Sequence, residues 1–365
     1  MTNTAVAETP VAQAMPTWSF RNHWMAQTAG HAVSRPDEVA LRYLGQDTTW
    51  RQLHERSLAL AGALRERGVR TGDRVLLLTL NRPEFVESVF AINSLGAIAV
   101  PVNFRLTPPE ILYLIEDSGS RVLIVDGPLA PLGAAVAGMT SQLESKIVLG
   151  EADGFESYEQ VLADADPIEL EDVPEDATAL LMYTSGTTGA PKGAMLSHRN
   201  MYLQAVTCIR SNMVWDESDV AFLTAPFFHI AGLGSIAANF IIGIPTVIHP
   251  LGAFDPAAVV DAWEQEGATI VFNVPQQWQA ICALPGIKDR DLKLRIISWG
   301  AAPASDTVLR AMEETFPDAT NVAVFGQTEM SPITCVLSGE DSRRKLGSVG
   351  KPIPTIQYRV VDDEM

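Results

Sequence analysis

From residue 50 onward, short apolar runs rich in β-branched residues alternate with stretches of helical periodicity, and few architectures accommodate that rhythm. Residues 74–80 (RVLLLTL) read as a buried strand, and the following 83–95 place Phe85, Val89, Ala91 and Ile92 on one helical face. Residues 97–102 read as the next strand. The stretch 107–117 opens on Thr, Pro, Pro and Glu, a composition suited to a helix start. Further strands are expected at 121–125 and 146–149. Such alternation implies crossover helices laid over largely parallel strands.

Residues 150–177 break the rhythm. They are acidic, carry Pro167 and Pro174, and read as a connector between two lobes. The pattern then resumes, with strands expected at 177–183, 220–224, 246–249, 269–273, 294–298 and 321–325, and helices at 197–209, 229–242, 255–265 and 305–316. Asp255 and Pro256 supply an N-cap followed by proline at the first helical position. After Arg343 the pattern turns to β punctuated by Gly and Pro, with a strand-like run at 356–361. No short repeat is present. At 365 residues the chain exceeds the ~250–300 over which a single core grows. A flexible lead-in at 1–17 and two α/β lobes at 18–176 and 177–342 are therefore expected.

Composition narrows the function. With 47% hydrophobic and 19% charged residues the chain is globular rather than disordered. The net charge of -18 removes nucleic-acid binding, which needs a basic surface or stripe. Small anions stay open, because backbone N–H groups and one or two cations hold them locally. Cys208, Cys282 and Cys335 show no CxxC or Cys/His metal spacing and read as reduced thiols of a cytosolic protein. The first residues lack the basic start and apolar block of a secretory signal. Residues 220–254 contain no Asp, Glu, Lys or Arg and are long enough to span a bilayer. Pro226, Gly232, Gly234, Gly243 and Pro245 punctuate that run, so strand, helix and strand in a buried core are expected instead.

Residues 183–193 (YTSGTTGAPKG) lie between an expected strand and an expected helix. Gly186, Gly189 and Gly193 allow tight turns and close backbone approach. The hydroxyls of Thr184, Ser185, Thr187 and Thr188 suit phosphate oxygens or a magnesium ion, and Lys192 adds a cation. The run is not a GxxxxGK[ST] loop, since Lys192 precedes a glycine and no Ser or Thr follows. A plain surface loop would share the glycines and hydroxyls. The Pro-Lys-Gly closure directly after a buried strand favours phosphate binding.

This run resembles, along its whole length, the signature loop of the adenylate-forming superfamily, which includes acyl-CoA synthetases, firefly luciferase and nonribosomal-peptide adenylation domains. Further motifs resemble that family in its own order, over residues 30–361. Residues 225–235 (APFFHIAGLGS) are similar to its Pro-x-Phe-His segment. Alone, His229 in an apolar run reads as a core histidine. The resemblance puts it at the mouth of an acyl pocket with Phe228, Gly232, Leu233 and Gly234, and Leu233 stands where some long-chain members carry a gating Trp. Residues 298–305 (SWGAAPAS) leave room for a flat ligand at a strand end. The resemblance implies that Gly300, Ala301 and Ala302 pack against adenine and the acyl group. It puts Trp299 beside the acid tunnel, a position plain packing explains equally well. Residues 324–330 (VFGQTEM) resemble the Tyr-Gly-x-Thr-Glu motif, with Phe325 replacing the tyrosine. Phe325 would stack on adenine, Gly326 and Gln327 would flank the nucleotide, Thr328 would meet the α-phosphate, and Glu329 would ligate magnesium together with Thr184. Residues 347–354 (GSVGKPIP) match a segment that enters a small β-barrel.

The resemblance implies an α/β fold of two mostly parallel sheets with flanking helices, layered αβαβα, with the ATP site in the second lobe and the start of a β-barrel at 343–365. It implies ATP-dependent activation of a carboxylic acid to acyl-AMP and then acyl-CoA, with Mg2+ as cofactor and ATP and coenzyme A as co-substrates. Lys192, Thr184, His229 and Glu329 form the implied catalytic set, and Ser185, Gly186, Thr187, Thr188 and Gly189 complete the phosphate cradle. An apolar pocket without Arg or Lys points to a medium- or long-chain fatty acid. An aryl-acid CoA ligase and a fatty acyl-AMP ligase are the alternatives, and a nucleotide-binding module without turnover is the alternative of another class. In the family, a ribose-binding Asp and a small domain with an acid-engaging lysine come later; no residue here takes those roles, so full activity is not expected of these residues. A cytoplasmic location without a transmembrane segment is expected. Peripheral membrane contact and a homodimer stay open.

Overall fold

Residues 22–24, 26–184, 189–211, 218–339, 341–362 and 364 are described by the computed structural model of the chain. In chain order, a hairpin of β1 (Val39–Tyr43) and β2 (Gln46–Thr49) comes first. Next come β3 (Arg74–Leu78), β4 (Ile98–Pro101), β5 (Val122–Asp126), β6 (Ser145–Leu149), β7 (Glu156–Ser157), β8 (Thr178–Thr184) and β9 (Lys192–Ser197). The last are β10 (Ala221–Leu223), β11 (Thr246–Ile248), β12 (Ile270–Phe272), β13 (Ile296–Gly300), β14 (Thr320–Gly326), β15 (Ile333–Ser338) and β16 (Lys351–Pro352). One sheet has the order β7-β6-β5-β3-β4-β8-β9, and the other β16-β15-β14-β13-β12-β10-β11-β1-β2. Neighbours are parallel except in β8–β9, β1–β2, β14–β15 and β15–β16.

The helices fill three layers. They are α1 (Ala26–Ser34), α2 (Trp50–Glu66), α3 (Pro83–Ser94), α4 (Pro108–Ser118), α5 (Ala130–Ala137), α6 (Tyr158–Ala163), α7 (His198–Ser211), α8 (Ile230–Ile242), α9 (Pro256–Glu266), α10 (Pro275–Cys282), α11 (Asp306–Thr315) and α12 (Asp341–Arg344). Between the sheets, α3 touches both β1 and β3, and α7 touches both β9 and β15. The outer faces are covered by α4 and α5 on one side and by α9, α10 and α11 on the other. Alternation along the strands enforces this layering: Val122 and Ile124 of β5 face the central core while Leu123 and Val125 face α4 and α5. The helices start on local signals, as when Thr49 and Gln52 cap α2 reciprocally and Asp255 accepts from the Ala257 amide at α9. The αβαβα layering is thus as expected.

Several expectations need correction. The sheets cut across the division at 176/177, since β1 and β2 join the nine-stranded sheet and β8 and β9 the seven-stranded one. The stretch read as a connector contains β7 and α6, and Tyr158 of α6 is buried. The phosphate loop runs into β9, a hairpin partner of β8, before α7 begins. Residues 356–361 form no strand: β16 is two residues long, and no neighbouring edge accepts a further strand, so Tyr358, Val360 and Val361 stay exposed. No closed barrel is formed among the described residues.

The run at 220–254 folds as β10, α8 and β11, and no described helix is long and apolar enough to cross a membrane. Cys208, Cys282 and Cys335 are free thiols.

Candidate functional site

β10, β12, β13 and β14 run parallel, and a cavity of about 420 Å³ opens at their C-terminal ends. Strand ends of this kind are where ligand crevices form in open α/β sheets. Ala225 after β10, Val274 after β12, Ala301 after β13 and Phe325 to Thr328 at the end of β14 meet there, and α8 supplies a wall. The backbone is forced close at this point. A Cβ on Gly326 would lie 1.8 Å from the Pro332 carbonyl oxygen, and one on Gly300 2.3 Å from that of Val324. Ala301 holds a φ of 62°, left-handed backbone that non-glycine residues seldom adopt and that marks functional sites. The ring of Phe325 is 46% exposed at this end of the sheet and offers a flat apolar surface.

His229 sits at the N-cap of α8, is exposed, and lines the cavity. Its ring lies 4.4 Å from that of Phe228. Packing around the ring, then the charge of Arg105, hold its pKa below the ordinary histidine value. The imidazole is therefore neutral at neutral pH, able to offer one donor and one acceptor.

The phosphate loop is anchored at its base. Thr184 and Lys192 are cross-strand partners in the β8–β9 hairpin. The Tyr183 hydroxyl donates to the Asp117 carboxylate at 2.6 Å, and the Tyr113 hydroxyl donates to the Pro191 carbonyl at 3.1 Å, so α4 grips both flanks of the loop. Burial and the Asp117 contact push the Tyr183 phenol above its ordinary range, which keeps that proton in place. Gly189 is exposed with φ 144°. Ser185, Gly186, Thr187 and Thr188 lie outside the described residues.

β9 packs against the 3-10 turn Thr328–Met330 that carries Glu329. The strand that starts at Lys192 and the turn that holds Glu329 are thus neighbours, although they come from different sheets. Both side chains are exposed, and neither makes an ion pair among the described residues. Glu329 follows the cavity-lining Thr328, and the strand that begins with Lys192 packs against its turn.

The structure gathers the expected residues unevenly. His229, Gly234, Ala301, Phe325, Gly326, Gln327 and Thr328 line the cavity. Ala302 is exposed just after Ala301. Phe228 turns aside and packs edge-on against Phe104, with ring centroids 5.4 Å apart. Leu233 faces the central core, and Gly232 lies against the carbonyls of Ala225 and Pro226. Trp299 points away from the cavity: it joins the core under α9 to α11 and its indole donates to Asn321 at 2.8 Å. Sequence reasoning missed Asn239, Gln277, Thr224 and Cys208, which also line the cavity. Asn239 had one readable signal, an amide inside the otherwise apolar run of α8.

Over residues 29–365 the sequence matches the family described as AMP-binding enzyme. A feruloyl-CoA synthase of Amycolatopsis sp. is 39% identical over 321 residues, which is 87% of this chain and 62% of the relative. A long-chain-fatty-acid–CoA ligase of Thermus thermophilus is 30% identical over 95% of this chain and 65% of its own length. Among solved structures, the anthranilate CoA ligase AuaEII in complex with anthranoyl-AMP superposes with a TM-score of 0.87 at 30% identity, over 94% of this chain and 66% of that one. The chain spans less than two thirds of the length of these curated relatives. With the motif order, the strand-end cavity and the family match in agreement, the chain belongs to the AMP-binding enzyme family, the adenylate-forming group whose signature loop it carries.

Proposed function

We propose that this chain forms the nucleotide- and acid-binding part of an ATP-dependent acid–CoA ligase that acts on an aryl-propenoic acid. The observation that carries the reading is the pairing of one strand-end cavity with Lys192 and Glu329, which lie on neighbouring elements and make no ion pair among the described residues. In the first half-reaction the carboxylate oxygen attacks the α-phosphorus of ATP, an acyl–phosphate bond forms, and pyrophosphate leaves. In the second the thiol of coenzyme A attacks the acyl carbon and AMP leaves. Such chemistry asks the protein chiefly to position anions and offset their charge. Lys192 and the loop amides would neutralise phosphate charge, Thr328 would hold the α-phosphate, and Phe325 would stack on the base. Neutral His229 at the cavity mouth would orient the carboxylate without trapping it in an ion pair.

The donor set fits magnesium. Glu329 offers one carboxylate and Thr184 one hydroxyl, both hard oxygens, and this ion is usually completed by phosphate oxygens and water rather than by a protein cage. When bound it supplies charge neutralisation at the phosphates.

Two observations favour an aryl acid over the fatty acid that the pocket composition suggests. The 39%-identical relative is a feruloyl-CoA synthase, against 30% for the fatty-acid ligase. The cavity wall also holds Asn239 and Gln277, whose Oδ1 and Nε2 make no hydrogen bond among the described residues and would stay unpaired against an alkyl chain. The test is acid-dependent pyrophosphate release in the presence of coenzyme A, over ferulate, 4-hydroxycinnamate, benzoate, anthranilate and hexadecanoate. The hydroxycinnamates are expected to give the highest kcat/KM. A preference for hexadecanoate would overturn the aryl assignment, and ATP binding with no release for any acid would favour a module without turnover.

A further inference from the structure

We propose that Asn239 reads a hydroxyl group at the far end of the acid and so separates hydroxylated from plain aryl acids. The inference rests on the aryl-acid reading of the same cavity. Asn239 is 4% exposed, and it lines the cavity from α8. Its Nδ2 donates to Thr246 Oγ1 at 3.2 Å, while its Oδ1 has no hydrogen-bond partner among the described residues. The helix is otherwise apolar at this end, and the Thr246 contact uses only the Nδ2 side of the amide.

The depth of this acceptor follows from register. Thr246 pairs with Ala221 at the start of β10, whereas the cavity mouth lies past the other end of that strand, at Thr224 and Ala225. At ~3.3 Å per residue the two levels are roughly 10 Å apart. A rigid aryl-propenoate whose carboxylate meets the nucleotide at the strand ends therefore points the far edge of its ring, where a para-hydroxyl sits, toward the level of Asn239. The surroundings there are Ala221, Ala238, Ile270 and Cys208, whose thiol is pushed up to about 12 by burial and stays neutral. No charged group competes for the acceptor from these elements. A ligand that ends in an O–H satisfies Oδ1, and one that ends in hydrogen leaves it buried and unpaired, which is how sites discriminate against an analogue lacking one hydroxyl.

Non-hydrolysable acyl-adenylate mimics test this directly, because the nucleotide half is constant. The chain is titrated calorimetrically with 4-hydroxycinnamoyl, cinnamoyl, 4-methoxycinnamoyl and hexadecanoyl mimics. The hydroxylated compound is expected to bind roughly tenfold or more tighter than the plain and the methoxy compounds. Asn239→Leu is expected to bring that ratio close to one, chiefly by weakening the hydroxylated mimic. Equal binding of the hydroxy and plain mimics, or a methoxy mimic as tight as the hydroxy one, would overturn the proposal. A ratio that survives Asn239→Leu would do the same. If the variant does not fold, the three aryl mimics on the parent chain decide the matter. Tighter binding of the hexadecanoyl mimic than of every aryl mimic would instead remove the aryl-acid reading itself.

Discussion

Phe325 shows a large ring to solvent at the mouth of the cavity, exposure that folding alone does not reward and that a flat ligand would cover. Aromatic stacking on a base contributes ~1–3 kcal/mol, so Phe325→Ala should weaken AMP binding roughly tenfold to a hundredfold, while Phe325→Tyr should keep it. Calorimetry on the two variants checks this, and unchanged affinity in the alanine variant would move the base elsewhere. His198 makes a prediction of a different kind. It is fully buried at the start of α7 with its ring 3.6 Å from that of His23, and neither of its nitrogens is hydrogen-bonded among the described residues. Burial, and then the neighbouring His23, hold its pKa well below the 6.5 of an ordinary histidine. Above that value both folded and unfolded chains are neutral at this site and the stability is complete. Below it the unfolded chain takes up a proton that the folded chain refuses, so stability falls by up to ~1.4 kcal/mol per pH unit. His31, His54, His229 and His249 are shifted the same way and add to the slope. Denaturant unfolding between pH ~7 and ~5.5 should show the loss, and His198→Leu should flatten it by about one proton's share. A variant with the parent's slope would clear His198 of that role.

Elements are held by a few buried polar contacts as much as by apolar packing. Glu87 of α3 is 2% exposed and accepts from Arg56 of α2 at 2.7 Å and from the Tyr158 hydroxyl of α6 at 2.9 Å. Tyr158→Phe keeps the ring but strands one carboxylate oxygen, at a cost of ~1–3 kcal/mol. The denaturant midpoint should fall accordingly, and an unchanged midpoint would show that α6 is held by packing alone. This helix also shows where sequence reading stops. Its six residues lie in an acidic stretch with no helical period to find, and its place is fixed by packing on α2 and β6 and by the Tyr158 bond to Glu87 of α3. β9 (KGAMLS) carries no β-branched residue and is a strand because β8 pairs with it. Conversely, 356–361 has strand composition and no partner. The parallel strands were legible because burial on both faces demands unbroken apolar runs. At the cavity, the Phe-Gly-Gln-Thr run at the end of β14 was legible as local spacing. The outward turn of Trp299 and the inward turn of Asn239 were not, since each depends on which face of its element meets the cavity.

At the scale of the whole molecule, the interleaving of the sheets matters most. The chain starts β1 and β2 in one sheet, builds β3 to β9 in the other, and returns, so the two layers are tied by crossings in both directions. Thr184 and Lys192 belong to the seven-stranded sheet, and Phe325, Thr328 and Glu329 to the nine-stranded sheet or the turn that follows β14. The proposed nucleotide site would therefore form only where the two sheets are correctly seated against each other, and a ligand that binds there should raise the stability of the whole chain. Titration of the chain with ATP and magnesium, beside Lys192→Ala and Glu329→Ala, tests this convergence most directly. If both side chains meet one bound nucleotide, each substitution should weaken binding about tenfold or more, and Glu329→Ala should also lose the enhancement by magnesium. Parent-like affinity and magnesium dependence in both variants would contradict it.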